Sequence, residues 1–224
     1  MLIIVSPFGE GVDPAANAGY GWASLGVIGN VWPQLIRADP RDRVTLQNDM
    51  AESWAVSDDG TTYTFKIRSG IVDHEGNPFT AEDAAYMFLR YLDRPNGLDA
   101  KRQGCLRAYM KNVLDENGNV LPEPGAEATG TLELTLRLKS PRIAFIACLA
   151  SPWAAFTPDT YSRPIDASGE YRTFDFGKGE VIGTGPFELT DMQVDNVFAF
   201  ERFDGYFNST LPYLDGFKIF AIPD

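Results

Sequence analysis

The sequence predicts a mixed α+β chain, and three observations carry that reading. Leu132, Leu134, Leu136 and Leu138 alternate strictly with Glu133, Thr135, Arg137 and Lys139, the period-two pattern of a half-buried strand. Ala84, Ala85, Phe88, Leu89, Tyr91 and Leu92 recur at helical spacing instead. Between them in type, Trp54–Ser57 and Thr62–Arg68 flank Asp58-Asp59-Gly60, a hairpin whose Asp-Gly pair tolerates positive φ.

Element by element, Leu2–Val5 is a short β-rich run that ends at Ser6-Pro7 and the turn-prone Gly9, Gly11 and Asp13-Pro14. Leu25, Ile28, Val31 and Trp32 have helical spacing, and Pro33 ends that helix near Trp32. Leu35-Ile36-Arg37 reads as extended. In the hairpin, Tyr63, Phe65 and Ile67 share one face, and Thr64, Lys66 and Arg68 the other. Thr80 followed by Asp83 is a capping-box-like start to the helix that Pro95 and Asn96-Gly97 stop. Leu106, Tyr109, Met110 and Val113 suggest a further helix. Asp115–Gly130, rich in Gly, Pro and Glu, reads as a surface loop. After the leucine strand, Ser140-Pro141 opens a helix through Leu149, with Ser as cap and Pro at the first helical position. Ser162–Glu180 reads as irregular, Phe187–Thr190 and Val197–Arg202 as a second hairpin, and Phe217–Ile222 as a last strand.

Composition narrows the function classes. The 224 residues are 44% hydrophobic and 22% charged, which is globular rather than disordered, collagenous or coiled-coil. Nineteen Lys+Arg against 31 Asp+Glu give a net charge of −12, so the chain repels phosphate backbones and anionic membrane surfaces. The apolar opening Met1–Val5 is too short for a membrane span or a whole signal peptide. Cys105 and Cys148 form no CxxC, and no histidine lies near them. They read either as a disulfide of an exported protein or as two buried thiols. Neither GxGxxG, nor a P-loop, nor GxSxG occurs. Gly183-Thr184-Gly185-Pro186 is glycine-rich, but its proline removes a donor that a phosphate cradle needs.

Three stretches are more specific than this patterning. The first runs from Met50-Ala51-Glu52-Ser53-Trp54 through Asp59-Gly60 and Tyr63-Thr64-Phe65-Lys66-Ile67-Arg68, then Gly70, His74, Gly76 and Pro78-Phe79-Thr80-Ala81-Glu82-Asp83 to Tyr86 and Phe88. The second is Gly183-Thr184-Gly185-Pro186-Phe187, followed by Phe200-Glu201-Arg202 and Tyr206-Phe207. The third is Val12-Asp13-Pro14 after the opening strand. Over nearly its whole length the chain thereby resembles the family 5 extracellular solute-binding proteins, the oligopeptide/dipeptide/nickel group of ABC importers.

The resemblance implies the first lobe of a periplasmic-binding-protein type II fold. A core sheet subdomain, residues 1–44 and 181–224, would carry an inserted α+β subdomain, residues 45–180. It implies a monomer without cofactor that binds a peptide-like small solute between two lobes and delivers it to an ABC permease. It also implies an extracytoplasmic location, in the periplasm or lipid-anchored at the cell surface, with the signal segment outside this sequence. Enzymatic activity is not expected. An exported hydrolase, or a sensor or interaction module on the same fold, is the alternative.

The candidate ligand-binding residues are Ala18, Gly19, Tyr20 and Trp22, then Arg107 and Tyr109. Glycines around aromatics allow close backbone approach and ring stacking on a ligand, and the resemblance puts ligand contacts in the loop after the Asp-Pro. A core aromatic pair is the competing reading. The resemblance also places Cys105–Tyr109 beside the cleft, although Tyr109 has helical-core spacing to Leu106 and Val113. His74, the single histidine, lies in Asp73-His74-Glu75-Gly76 and reads as an exposed turn residue rather than a metal ligand or base. Glu82-Asp83 read as helix-capping carboxylates, and Trp153 as core.

Overall fold

The computed structural model describes residues 2–6, 22–92, 104–157, 181–193 and 196–221. In chain order the elements are β1 (Leu2–Ser6), α1 (Trp22–Val31), β2 (Ile36–Ala38), β3 (Leu46–Asn48), β4 (Ala51–Val56) and β5 (Thr62–Ile67). Then follow α2 (Ala81–Leu92), α3 (Gly104–Tyr109), β6 (Ala126–Gly130), β7 (Glu133–Arg137) and α4 (Phe145–Leu149). The last three strands are β8 (Phe187–Gln193), β9 (Val197–Arg202) and β10 (Gly216–Ala221).

The strands make two four-stranded sheets and a small hairpin. In the first sheet the order is β1-β10-β9-β8, with β1 parallel to β10 and the other pairs antiparallel. In the second it is β4-β5-β7-β6, antiparallel throughout. The hairpin pairs β2 with β3.

Each sheet has its own core. The α1 residues Val27, Ile28 and Val31 pack with Trp32, Phe187, Phe198, Phe200, Phe217 and Ile219 on the first sheet. Phe200 and Phe217 stack at 4.6 Å, and Phe187 meets Phe217 edge-on at 5.0 Å. On the second sheet, Tyr63, Phe65 and Ile67 from β5 and Leu134 and Leu136 from β7 pack with Met87, Phe88 and Tyr91 of α2. Burying each such side chain contributes roughly 1.5–3 kcal/mol, so the alternating positions hold the sheet to the helix.

Local chemistry explains several boundaries. At the start of α2 the Asp83 carboxylate accepts from the Thr80 N–H at 2.7 Å, while Thr80 Oγ1 accepts from the Glu82 N–H at 3.3 Å. This is the reciprocal cap read from the sequence, with Asp83 in the acid's place. The β4–β5 turn has Gly60 at φ 68°, and Asp59 takes the Ser57 and Thr61 hydroxyls at 2.6 and 2.8 Å.

Three sequence expectations are corrected. The helix expected through Val113 ends at Tyr109, because Met110 bridges Leu138 and the Lys111 N–H donates to Arg137 O. Asp115–Gly130 is not all loop: β6 occupies Ala126–Gly130, pairs with β7 and lies against α2. The helix expected from Ser140-Pro141 is only Phe145–Leu149. Ala144 is its cap and makes no side-chain cap bond. Arg142 stays outside the helix, where its carbonyl accepts from the Tyr63 hydroxyl at 3.1 Å. Ser162–Glu180 and the Trp153 side chain lie outside the described residues.

Candidate functional site

At one edge of the first sheet, β1 and β10 end side by side, with Ser6 paired to Ala221. Ligands of open sheets with parallel strands bind outside the carboxyl ends of those strands. The segment that follows Ser6 leaves from this edge, and the chain re-enters the described structure at Trp22, the first residue of α1. Ala18, Gly19 and Tyr20 lie outside the described residues, as does the side chain of Trp22.

Arg107 and Tyr109 belong to the other half, on α3. A disulfide joins Cys105 of α3 to Cys148 of α4, with 6.0 Å between the Cα atoms, so the cysteines are bridged rather than free thiols. Two more contacts fix the end of α3. Lys139 Nζ donates to Arg107 O at 2.7 Å, and the Arg142 guanidinium sits 5.4 Å from the centre of the Tyr109 ring. Both side chains are part-exposed, and Tyr109 also packs on the core of its sheet. Arg107 and Tyr109 thus share α3, two positions apart, and Trp22 begins the other sheet's helix.

One contact between the halves centres on His74. It lies in a turn as expected, but its ring is not the exposed group the sequence suggested. The His74 N–H donates to Gly183 O at 2.9 Å, the Gly183 N–H donates to His74 Nδ1 at 3.3 Å, and His74 Nε2 lies 3.2 Å from Gly185 O. The tautomer that satisfies all three carries its proton on Nε2. Phe203 closes over the ring edge-on at 4.9 Å. Burial pushes the imidazole pKa down from 6.5 to about 4, so the ring is neutral at pH 7. With both nitrogens committed to main-chain groups, it is poorly placed to serve as a general base.

Gly183 and Gly185 explain themselves here. A Cβ on Gly183 would lie 2.0 Å from Val31 O, and one on Gly185 2.3 Å from Asn30 O. The Gly-Thr-Gly-Pro motif is therefore where the end of α1 and the His74 turn both press onto one stretch of backbone. Trp32 Nε1 donates to Ile182 O at 2.7 Å beside it. The sequence held a signal for this contact, two glycines flanking one residue, but not its partners.

A second contact between the halves surrounds Asp49. Its carboxylate accepts from the Gln34 N–H at 3.1 Å and lies 4.0 Å from Arg37, while Arg68 Nε donates to Asp49 O at 2.7 Å. Burial raises the Asp49 pKa against the pull of Arg37. Arg68 also sits 5.9 Å above the Phe207 ring, and these groups line a polar concavity of about 500 Å³. Nothing in the sequence pattern marked it as a site. Among the described residues no group of His, Cys, Asp or Glu is arranged to hold a metal ion.

Residues 45–224 match the family described as bacterial extracellular solute-binding proteins, family 5 Middle. The dipeptide-binding protein of Escherichia coli K12 is 30% identical over 183 residues, covering 78% of this chain and 32% of that protein. Heme-binding protein A of Haemophilus influenzae is 27% identical over 185 residues, covering 80% of this chain and 32% of its own length. The chain thus spans about a third of the relatives it matches. Among solved structures, the Escherichia coli murein tripeptide binding protein MppA superposes with a TM-score of 0.81 at 20% identity, covering 99% of this chain and 42% of that one. A periplasmic oligopeptide-binding protein from Borrelia burgdorferi gives 0.77 at 24% identity, covering 98% and 43%. The fold is that of the periplasmic-binding-protein type II lobe that the sequence predicted.

Proposed function

Starting from the fact that this chain belongs to the family 5 bacterial extracellular solute-binding proteins, we propose that it is one lobe of a receptor that captures a peptide-like solute for an ABC importer. The observation that carries this is the unbroken family match from residue 45 through the last strand of the core sheet. The relatives named above are binding proteins for dipeptide and heme, and the mechanism here is binding without chemistry. Solute bridges two lobes and shifts an open–closed equilibrium, and the permease reads the closed form.

In this reading residues 1–44 and 181–224 form the core subdomain and 45–180 the insert, with Leu35 and Ile36 leading into the insert's core. Ala18, Gly19, Tyr20 and Trp22 meet the solute from the core's carboxyl edge, and Arg107 and Tyr109 from the insert. The protein works outside the cytoplasm. The Cys105–Cys148 disulfide supports that location, since such bonds persist in oxidising compartments.

Calorimetry with a peptide library on the full-length protein and on this chain alone tests the proposal. The full-length protein is expected to bind tightly and this lobe weakly. Equal affinities would place the whole site in this chain. Turnover of a peptide, lost on changing one residue, would make the hydrolase reading correct instead.

A further inference from the structure

The open edge of β4 carries an interaction surface that the solute-binding reading does not use. The register sets which backbone groups face outward. Ser57 N–H donates to Thr62 O at 2.9 Å, so Ser57 and Thr62 form a hydrogen-bonded pair, and the next pair, Val56 with Tyr63, is not bonded. The alternation continues through Ala55 with Thr64, bonded, to Trp54 with Phe65, not bonded. Trp54 and Val56 therefore direct their N–H and C=O groups away from β5, at the edge of the sheet. Among the described residues nothing pairs with them.

The same two residues are apolar and exposed. Trp54 and Val56 lie on the sheet face that, one strand further in, is the core face of Phe65 and Tyr63, yet they are 41% and 40% exposed. With Pro141, Arg142, Ile143 and Ile146 they line a groove of about 560 Å³; the Arg142 guanidinium lies over the Tyr109 ring, and Ile143 is 94% exposed. An edge strand with free backbone groups beside an apolar groove is the arrangement that accepts an added strand. Its ends are acidic: Glu52, the second residue of β4, lies near one end and Asp58 and Asp59 follow the other, all exposed. Lys66 neutralises Glu52 at 2.9 Å, but Asp58 and Asp59 meet no cation among the described residues. The whole chain carries a charge of −12. A second copy would bring the same carboxylates against their equals, whereas a basic strand would neutralise them.

We propose that the β4 edge docks an extended segment of a partner protein, apolar in its middle and flanked by lysine or arginine, as a fifth strand of the second sheet. Ile143 and Trp54 hold its inward side chains, and Trp54 and Val56 supply the backbone hydrogen bonds.

The test uses full-length protein and a blocked nonapeptide with a Val-Thr-Val-Thr-Val core and two lysines at each end. The same peptide with glutamates at its ends is the comparison. The lysine peptide is expected to bind with a dissociation constant on the order of 100 μM, weaker at high salt, and to slow hydrogen exchange of the Trp54 and Val56 amides. Val56→Pro removes one outward donor without touching the β4–β5 ladder and should weaken binding about tenfold or more, as should Trp54→Lys. Amide exchange on the wild-type protein reads the same contact should either variant fold poorly. Equal binding of the two peptides, no binding at millimolar concentration, or unchanged exchange at Trp54 and Val56 overturns the proposal. So does protection of those amides before any peptide is added. A concentration-dependent dimer abolished by Val56→Pro would assign the edge to a second copy and overturn it equally.

Discussion

The two sheets differ in how far along the chain their most distant strands must come to pair. In the second sheet, β4–β5 and β6–β7 are joined by short connections, while β5 reaches β7 only after α2, α3 and β6 have intervened, and α2 lies against β6 and β7. In the first sheet, β1 pairs with β10, whose partners Leu2 and Phe217 come from opposite ends of the chain. The second sheet's half also has a disulfide, while the first sheet is completed by glycine backbone against helix. Local pairing forms early and cheaply, and distant pairing must wait for loop closure. The second sheet's half is therefore expected to be the more robust unit, with the first sheet's half tied to it through the His74 turn.

The largest effect should come from Gly183→Val, which puts a Cβ into Val31 O and breaks the seat of α1 and His74 together. A loss of more than about 3 kcal/mol is expected. It should fall on the first sheet's half, so calorimetry would split one transition into two. A single cooperative transition at lower temperature would mean that the halves do not fold as separate units. Next, Cys105→Ser with Cys148→Ser opens a bridge spanning a sequence separation of 43 and should cost roughly 2–4 kcal/mol. That loss should appear in the transition of the second sheet's half, and its appearance in the other would reverse the comparison.

The junction itself is pH-sensitive. His74 has a folded pKa of about 4 against 6.5 unfolded, so folding favours the neutral ring. Its contribution is fully present above pH 6.5 and is lost as pH falls through 6.5 towards 4, in total up to about 3 kcal/mol. Denaturation between pH 7 and 4 should show this slope, and His74→Gln should flatten it. An unchanged slope would mean that the carboxylates alone set the acid limit. The smallest effect sharpens the picture within one half: Thr80→Ala removes the α2 cap and should cost about 1 kcal/mol, read from urea midpoints.

Legibility in the sequence follows the same division. Leu134 and Leu136 announced β7, and Tyr63, Phe65 and Ile67 announced β5, because one buried face forces a period of two. Ala126–Gly130 gave no such signal. It is a strand because β7 offers it an edge and α2 covers it, both tertiary facts. Pro141 looked like a helix start, yet Arg142 is held outside the helix by Tyr63 from another strand. The family motif was legible in Gly183-Thr184-Gly185-Pro186, whereas the role of His74 was not. A histidine 109 residues before its glycine partner leaves no periodic trace. Of the candidate site, Arg107 and Tyr109 are placed on α3, and the loop containing Tyr20 lies outside the described residues.

One hydrogen bond has a consequence for how such a chain can change over generations. The Phe156 N–H donates to Pro33 O at 2.9 Å, so the strand of chain entering the second sheet's half runs beside the one leaving it. Both crossings occupy a single gateway. A genetic segment encoding what lies between them can be gained, lost or exchanged in one event without rethreading the remaining sheet, since a short tie between two adjacent ends closes the gap. Because the two crossings lie side by side, a change confined to the segment between them leaves the β1-β10-β9-β8 connections in place.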